Sequence, residues 1–272
     1  MSPLVLVGVI LLAVTVAVSA LALVRSRMRG ERLVTDSGRA GQFYNLVGTA
    51  FAVLLAFVVL ISYQSYNAAK NGAESEAVAV LALFRSAELL EASDRDKYQG
   101  ELACYARAAV SEWPLMDDGE RSVTLEAWVE RLLATAAGFE LDGSIRETAL
   151  GQIFVEDDQR EAGRRERLSE AAAVVTTPVW TTLLLGGMIV IFAPLVFVDR
   201  RERFGTETML VGAVAVMVAS GLLLIRFLDN PYSGASGSIE PVEMERTITM
   251  MEDERHELER YCDVHGTPTS PS

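Results

Sequence analysis

Four apolar stretches, each about one bilayer thickness long, alternate with polar sequence along the chain. They contain no Asp, Glu, Lys or Arg and lie at residues 4–24, 43–63, 179–198 and 208–225. An α-helix rises 1.5 Å per residue, so about 20 residues cross a hydrocarbon core of about 30 Å. The pattern therefore predicts an all-α integral membrane protein with four transmembrane helices.

The polar stretches between these helices indicate the domain organisation. Transmembrane helices 1 and 2 fall within residues 1–63, helices 3 and 4 within 178–228, and a polar tail follows at 229–272. The acidic stretch 64–177 is long enough for a small domain and shows helical rather than strand periodicity. We therefore predict a soluble helical bundle between helices 2 and 3, and a tail that is disordered from Gly266 onward.

The second apolar stretch continues into polar sequence without a helix breaker. Val78, Leu81, Phe84 or Arg85, and then Leu89 recur there at helical spacing, and we interpret them as the apolar face of a water-exposed extension. The charged stretch 144–177 is predicted to continue in the same way into transmembrane helix 3 at Pro178. Two transmembrane helices would then run directly into the bundle.

Small and weakly polar residues mark one side of transmembrane helix 2. Gly48, Ala52 and Ala56 recur every fourth residue, and Asn45 and Thr49 form a polar pair beside them. Such a stripe packs against another helix, because small side chains allow close approach, or it lines a pore. The helix carries no charge, so packing is favoured and the pore is kept as the alternative.

Two groups of acidic residues in the bundle suggest ion binding. Glu74 and Glu76 follow about three turns after helix 2 and form either an acidic mouth that concentrates cations or, as charge runs usually do, a solvated helix face. The triplet 156–158 suggests Ca²⁺, but consecutive helical residues point in different directions, and arginines follow one turn later. We therefore expect ion pairs within the helix and no metal or cofactor site.

The distribution of charge bears on partners and orientation. The formal net charge is −13 and no basic surface is evident, which argues against binding nucleic acid. Arg25, Arg27, Arg29 and Arg32 follow helix 1, and the positive-inside bias places that short loop in the cytoplasm. We predict a multi-pass protein of the plasma membrane whose bundle and tail lie outside the cytoplasm.

Cysteine and histidine residues offer little chemistry. Cys104 and Cys262 can pair only if the fold brings them together, and from their count alone we favour two unpaired thiols. His256 and His265 lie near Cys262, but the ligand count for zinc is short. The sequence shows no nucleophile elbow, phosphate loop or pair of metal ligands, so no catalytic residue is predicted and an enzyme is the weakest class.

The turn after the last transmembrane helix carries the most specific motif. The chain reads LDNPYSG there, with Asp229, Pro231 and Gly234, and an earlier segment contains Glu112 and Trp113 before a proline. The chain resembles a bacterial family of membrane proteins described as bestrophin-like. The resemblance rests on these pieces, on the Glu-rich start of the extension, and on the order of two spans, a bundle and two further spans.

The resemblance implies both an architecture and a function. Bestrophins are pentameric anion channels with four spans per subunit and a pore lined by the second span. Their eukaryotic members bind Ca²⁺ through a clasp of acids that this sequence does not show in the corresponding place. Bestrophins keep their termini and large domain in the cytoplasm, whereas the arginines here predict the opposite, and we follow the arginines.

Two functional hypotheses follow from these observations. The first is a homo-oligomeric ion channel of bestrophin-like build that passes an inorganic ion, an anion by the resemblance. The alternative is a membrane-anchored scaffold or sensor whose acidic bundle binds a partner. It rests on the absence of charge within the spans, because proton and substrate pathways usually contain charged residues.

Overall fold

The computed structural model describes residues 3–27, 37–139, 144–198, 203–255 and 261–269. Its regular structure within these ranges is helical, as predicted. The elements are α1 Pro3–Arg27, α2 Ser37–Ser86, α3 Ala92–Glu112, α4 Val123–Ala137, α5 Ser144–Ser169, α6 Thr177–Phe192, α7 Phe204–Leu228 and α8 Val242–Glu254, with short 3₁₀ segments at Ala87–Leu89, Trp113–Asp118 and Ala193–Phe197.

Four of these helices are long and apolar enough to cross a membrane. They are α1, α2, α6 with its 3₁₀ continuation, and α7. The prediction of four transmembrane helices is therefore confirmed. It follows from local sequence, because an α-helix makes its backbone hydrogen bonds within one segment and can cross the lipid without other partners.

The extension of α2 is confirmed as helix, and its predicted apolar face is correct in part. Phe84 is buried and Leu81 packs against the core, whereas Val78 and Leu89 are 67% and 54% exposed. Alanines such as Ala77 carry much of the remaining contact face, since short side chains let neighbouring helices approach closely. A pattern that counted only large apolar residues therefore missed part of this face.

The predicted continuation of α5 into transmembrane helix 3 is also wrong. The helix ends at Ser169, and α6 begins at Thr177 after a segment of non-helical backbone. Thr176 caps α6 in an extended conformation, and Pro178 occupies the first helical turn. Proline suits that turn because its missing N–H would lack a helical partner there, and it disfavours helix in the residue before it.

The chain divides into two compact units. The first contains residues 1–65 and 173–229, and the second contains residues 66–172 and 230–272. The helix α2 contributes to both, and the segment after α7 belongs to the second unit.

In the first unit, two apolar clusters join the transmembrane helices. Phe51 and Val58 of α2 pack against Leu183 of α6 and against Val218 and Ile225 of α7. A second cluster joins α1 to α7, and its buried members are Ala17, Leu21, Leu195, Val198, Val211 and Ala215.

In the second unit, α3 lies at the centre of the core. Its residues Leu102 and Tyr105 are fully buried together with Trp128 of α4 and Met251 of α8. The C-terminal segment is part of this core, because the backbone at Gly266, with φ +76°, lies against Ala108 of α3. The disorder predicted from Gly266 onward is therefore wrong for residues 266–269.

Candidate functional site

The predicted stripe on α2 is exposed in the structure. Asn45, Thr49, Ala52 and Ala56 are all exposed, whereas Phe51 on another side of α2 is buried. The stripe therefore does not pack within the chain. The two alternatives that stay are packing against a second subunit and lining a pore.

The small residues that let α2 pack closely lie on its partner helices. A Cβ atom at Gly186 of α6 would lie 2.7 Å from Cδ2 of Phe51, and one at Gly221 of α7 would lie 2.7 Å from Cδ2 of Leu55. Carbon atoms cannot approach so closely, so a larger residue at either position would require the side chain of Phe51 or Leu55 to move. The stripe on α2 is thus left with no role in assembling the first unit.

An apolar groove of about 660 Å³ runs beside the stripe. Ala52 and Ala56 form part of one wall and Val214 and Met217 of α7 part of the other. Tyr44 of α2 donates a hydrogen bond of 3.3 Å to the carbonyl of Val190 at the groove. The exposed side of α2 is therefore polar at Asn45 and Thr49 and borders an apolar groove at Ala52 and Ala56.

In the second unit, Glu76 belongs to a buried ionic cluster and is neither a solvated residue nor an acidic mouth. Its carboxylate accepts hydrogen bonds from Arg167 Nε at 2.6 Å and from the Tyr105 hydroxyl at 2.6 Å. The side chains of Glu76 and Arg167 are both 0% exposed. Glu74 is half exposed and lies 3.6 Å from Lys70 on the same helix.

Arg167 also contacts the end of α3. Its Nη2 donates to Glu112 Oε2 at 2.9 Å, and its guanidinium lies 4.8 Å from the centre of the Trp113 ring. Burial alone lowers the pKa of Arg167, but the charges of Glu76 and Glu112 outweigh it and raise that pKa above its usual value. Arg167 is therefore permanently charged and joins α5 to both α2 and α3.

Two further arginines extend the cluster along the same face of α5. Arg160 donates to Asp157 at 2.7 Å and lies over the ring of Tyr105 at 4.8 Å. Arg164 donates to Glu112 at 3.3 Å. The pairing of Asp157 with Arg160 confirms the predicted ion pair within α5.

The Glu76 cluster, as we name it, consists of Glu76, Tyr105, Glu112, Asp157, Arg160, Arg164 and Arg167. Its three carboxylates and three guanidinium groups cancel in formal charge. Burial, and then the charge of Glu76, raise the pKa of Tyr105, so that hydroxyl stays protonated and donates. Each of these contacts fixes a side chain, so the cluster acts as a structural junction.

Two glycines bring α2 and α5 close enough to form this junction. A Cβ atom at Gly163 would lie 2.6 Å from the backbone N of Glu76, and one at Gly72 would lie 2.7 Å from the backbone N of Arg167. The helices thus cross backbone to backbone. That crossing places the carboxylate of Glu76 directly beside the guanidinium of Arg167.

Sequence reasoning paired Arg160, Arg164 and Arg167 with the acidic triplet of their own helix and missed Glu76 and Glu112 as their partners. Their spacing of four and three residues places all three on one helix face. Such a row of arginines was a usable signal, because a face made only of arginine needs carboxylates opposite it. The sequence does not say which of the many acidic residues lie there.

The motif after α7 contributes one residue to the first unit. The buried carboxylate of Asp229 accepts hydrogen bonds from the backbone N–H groups of Val174 and Val175, both at 2.8 Å, and from Trp180 Nε1 at 3.4 Å. These groups lie at and just before the start of α6. Asp229 thus fixes the non-helical segment that leads into that helix.

The remainder of the motif lies in the second unit, around Trp113. The indole Nε1 of Trp113 donates to the carbonyl of Ile239 at 2.9 Å, and the N–H of Ile239 donates to the carbonyl of Pro231 at 2.8 Å. Tyr232 packs edge-on against Trp113, and Gly234 has φ +65°, which favours glycine. Glu112, Trp113, Pro231 and Gly234 are therefore parts of one structured loop junction.

The expectation of two unpaired thiols is wrong. Cys104 of α3 and Cys262 form a disulfide with Cα atoms 5.8 Å apart. Trp128 of α4 donates from Nε1 to the carbonyl of Gly266 at 2.6 Å, which holds the same segment against the bundle. His265 is exposed, and His256 lies outside the described residues.

Across the described ranges, no cluster of three or more His, Cys, Asp or Glu side chains is placed to hold a metal ion. The site residues are instead of two kinds. One kind forms an exposed, uncharged face on a transmembrane helix, and the other forms buried junctions.

Comparison with known proteins identifies relatives. A family model described as a Bestrophin-like domain matches residues 11–243. The search of curated proteins finds no significant match.

Solved structures of a bacterial bestrophin homologue from Klebsiella pneumoniae share the fold. One is 14% identical, covers 97% of this chain and 99% of its own, and has a TM-score of 0.67. Two variants of that homologue are 15% and 14% identical, cover 90% and 91% of this chain and 98% of their own, and have TM-scores of 0.68 and 0.66.

Proposed function

Because this chain belongs to the Bestrophin-like family, we propose that it is a homo-oligomeric ion channel rather than an enzyme. Several copies would surround a pore lined by the exposed stripe of α2, and the channel would pass anions. The observation that carries the proposal is this stripe: Asn45, Thr49, Ala52 and Ala56 are exposed while another side of α2 is packed.

The polarity of the stripe supports a position beside water. Transfer of an amide such as that of Asn45 into hydrocarbon without a hydrogen-bond partner costs several kcal/mol of free energy. A water-filled pore removes this cost, and small residues such as Ala52 and Ala56 leave room for it. The Asn45 amide and Thr49 hydroxyl are hydrogen-bond donors, and donors of this kind can replace part of the hydration shell of an anion.

The proposal includes an orientation in the plasma membrane. The arginines after α1 favour a cytoplasmic loop, which leaves the bundle outside. The disulfide between Cys104 and Cys262 supports the same orientation independently, because disulfides persist in oxidising compartments and are rare in the cytosol.

Accessibility of single cysteines to charged thiol reagents tests the pore. The chain has only two cysteines and both are in the disulfide, so an introduced cysteine is the only free thiol. Purified protein carrying Thr49→Cys would be reconstituted in planar bilayers, and chloride current would be recorded before and after addition of a positively charged methanethiosulfonate. Val47→Cys is the matched control, since Val47 is 40% exposed and, two residues before Thr49 at about 100° per residue, lies on nearly the opposite side of α2.

We expect the reagent to change the chloride conductance of Thr49→Cys and leave that of Val47→Cys unchanged. Absence of conductance for any common anion or cation in the reconstituted wild type would refute the channel. Conductance that responds equally at both positions would refute the assignment of the stripe to the pore.

Labelling of intact cells tests the orientation. A membrane-impermeant maleimide should label Glu130→Cys on the exposed face of α4 and should label Ser26→Cys, at the end of α1, only after the cells are permeabilised. The reverse pattern would place the bundle in the cytoplasm.

A further inference from the structure

Glu101 is a buried carboxyl group that the proposed channel does not use. It lies on α3 and is 6% exposed. Its Oε2 atom has no hydrogen-bond partner among the described residues. A buried polar atom without a partner is uncommon in native structures and calls for a physical explanation.

The neighbours of Glu101 come from α3 and α4. A hydrogen bond from Thr135 of α4 and the charges of Lys97 on α3 and Arg131 on α4 all favour the ionised carboxylate. Burial opposes them and is the larger effect, so the pKa of Glu101 is raised above its usual value. Tyr98, also on α3, experiences the charge of Glu101 in turn.

Ionised and neutral forms of Glu101 therefore differ in how well they fit the interface. The neutral carboxyl brings no charge into the interface and needs no counter-ion. The ionised form places a charge with one unpartnered oxygen between two packed helices, where water cannot solvate it. Lys97 and Arg131 compensate this charge only in part.

We propose that Glu101 is a proton-controlled catch between α3 and α4, which holds α4 in place when neutral and loosens it when ionised. The elements that would respond are identifiable. Trp128 and Leu132 anchor α4 in the core, and Trp128 holds the C-terminal segment through the carbonyl of Gly266. Loosening of α4 would therefore also loosen the segment that Cys262 ties to α3.

The direction of the pH effect follows from linkage. A carboxyl whose pKa is higher in the folded than in the unfolded state binds more protons when folded, so stability falls as pH rises from the unfolded value, about 4.3, through the folded value. Each unit of difference between the two values changes the opening equilibrium of the interface tenfold.

Hydrogen exchange of α4 amides in the full-length protein in detergent tests the catch. Wild type and Glu101→Gln would be compared by mass spectrometry at several pH values between about 5 and 8. Because the substitution is in α3, the α4 peptides are chemically identical, and their intrinsic exchange rates cancel in the ratio. Glu74→Gln is the control, since Glu74 is a half-exposed acid on α2 and its substitution also leaves the α4 peptides unchanged.

We expect α4 of wild type to lose protection progressively relative to Glu101→Gln as pH rises over this range. The Glu74→Gln control should follow wild type at every pH. A ratio between wild type and Glu101→Gln that stays constant with pH would overturn the proposal.

A second variant keeps the test informative if Glu101→Gln folds poorly. The hydrogen bond from Thr135 lowers the pKa of Glu101. Its removal in Thr135→Val should therefore move the loss of α4 protection to higher pH. A purely structural role for Thr135 would lower protection equally at every pH, and that result would count against the catch.

Discussion

Replacement of Glu76 by Gln tests whether the Glu76 cluster stabilises the second unit. The substitution keeps the shape of the side chain and removes its charge. One oxygen can still accept from Tyr105, but the other becomes an NH₂ group facing Arg167 Nε, which now lies 2.6 Å from a carboxylate oxygen. Two donors at this distance repel each other, and Arg167 keeps only the carboxylate of Glu112.

The size of the effect follows from the burial of both partners. Before the substitution, the three carboxylates and three guanidinium groups of the cluster cancel, and afterwards one positive charge is in excess. Loss of one partner of a fully buried ion pair lowers the free energy of unfolding by about 3–5 kcal/mol. For a unit of this size, each kcal/mol lowers Tm by roughly 2–4 °C, so we expect a decrease of roughly 6–20 °C.

The assay is thermal unfolding of the purified protein in detergent, followed by circular dichroism. Glu74→Gln is the matched control on the same helix, because Glu74 is half exposed and its partner Lys70 is also exposed. Exposed pairs of this kind contribute about 0–1 kcal/mol. Equal Tm values for Glu76→Gln and Glu74→Gln would refute the conclusion that the buried cluster is a structural junction.

Three further substitutions probe other contacts, each through the same thermal assay. Gly163→Ala should destabilise by about 1–3 kcal/mol, because its Cβ would collide with the backbone of α2, whereas Gly151→Ala, with open space around it, should be neutral or stabilise by up to about 1 kcal/mol. Asp229→Ala should destabilise the protein by about 1–3 kcal/mol, because two N–H groups before α6, the buried one of Val175 and the part-buried one of Val174, lose their acceptor. Cys104→Ser should destabilise by about 2–4 kcal/mol and remove the effect of a reductant on Tm; an unchanged response to reductant would contradict the disulfide to Cys262.

The membrane helices were predictable because the signal for them is local. An uninterrupted run of apolar residues of sufficient length specifies a spanning helix without knowledge of its partners. The continuity of α2 was predictable for the same reason, because no proline or glycine pair interrupts it after the membrane span. The break before α6 also has a local cause in Pro178, but proline at that place fits a kink as well as a helix start.

The buried junctions were not predictable because their partners are distant in sequence. Glu76 lies 91 residues from Arg167, and Cys104 lies 158 residues from Cys262. A glutamate in an acidic stretch looks the same whether it is solvated or paired inside the bundle. The close crossing of α2 and α5 at Gly163 is what buries and pairs Glu76. A single glycine in a helix does not show from the sequence which element packs against it.

The side of α2 that packs was likewise decided by its partners. Small residues on α2 predicted close helix contact, yet the glycines that permit contact are Gly186 and Gly221 on other helices. The bulky side chains of α2 fill the space that those glycines leave. A stripe of small residues therefore marks a place where another helix can come close to the backbone. It contributes to packing only when such a helix lies there.

Two features of unrelated physical origin support the same orientation of the bundle. The arginines after α1 act during membrane insertion through their charge, whereas the disulfide depends on the redox potential of the compartment. In the cytosol, Cys104 and Cys262 would be kept as thiols, and residues 261–269 would lose their covalent link to α3. The packing of that segment in the core, with its backbone against Ala108, is most stable where the link persists. Stability of the bundle and the direction of insertion thus favour the compartment outside the cytoplasm.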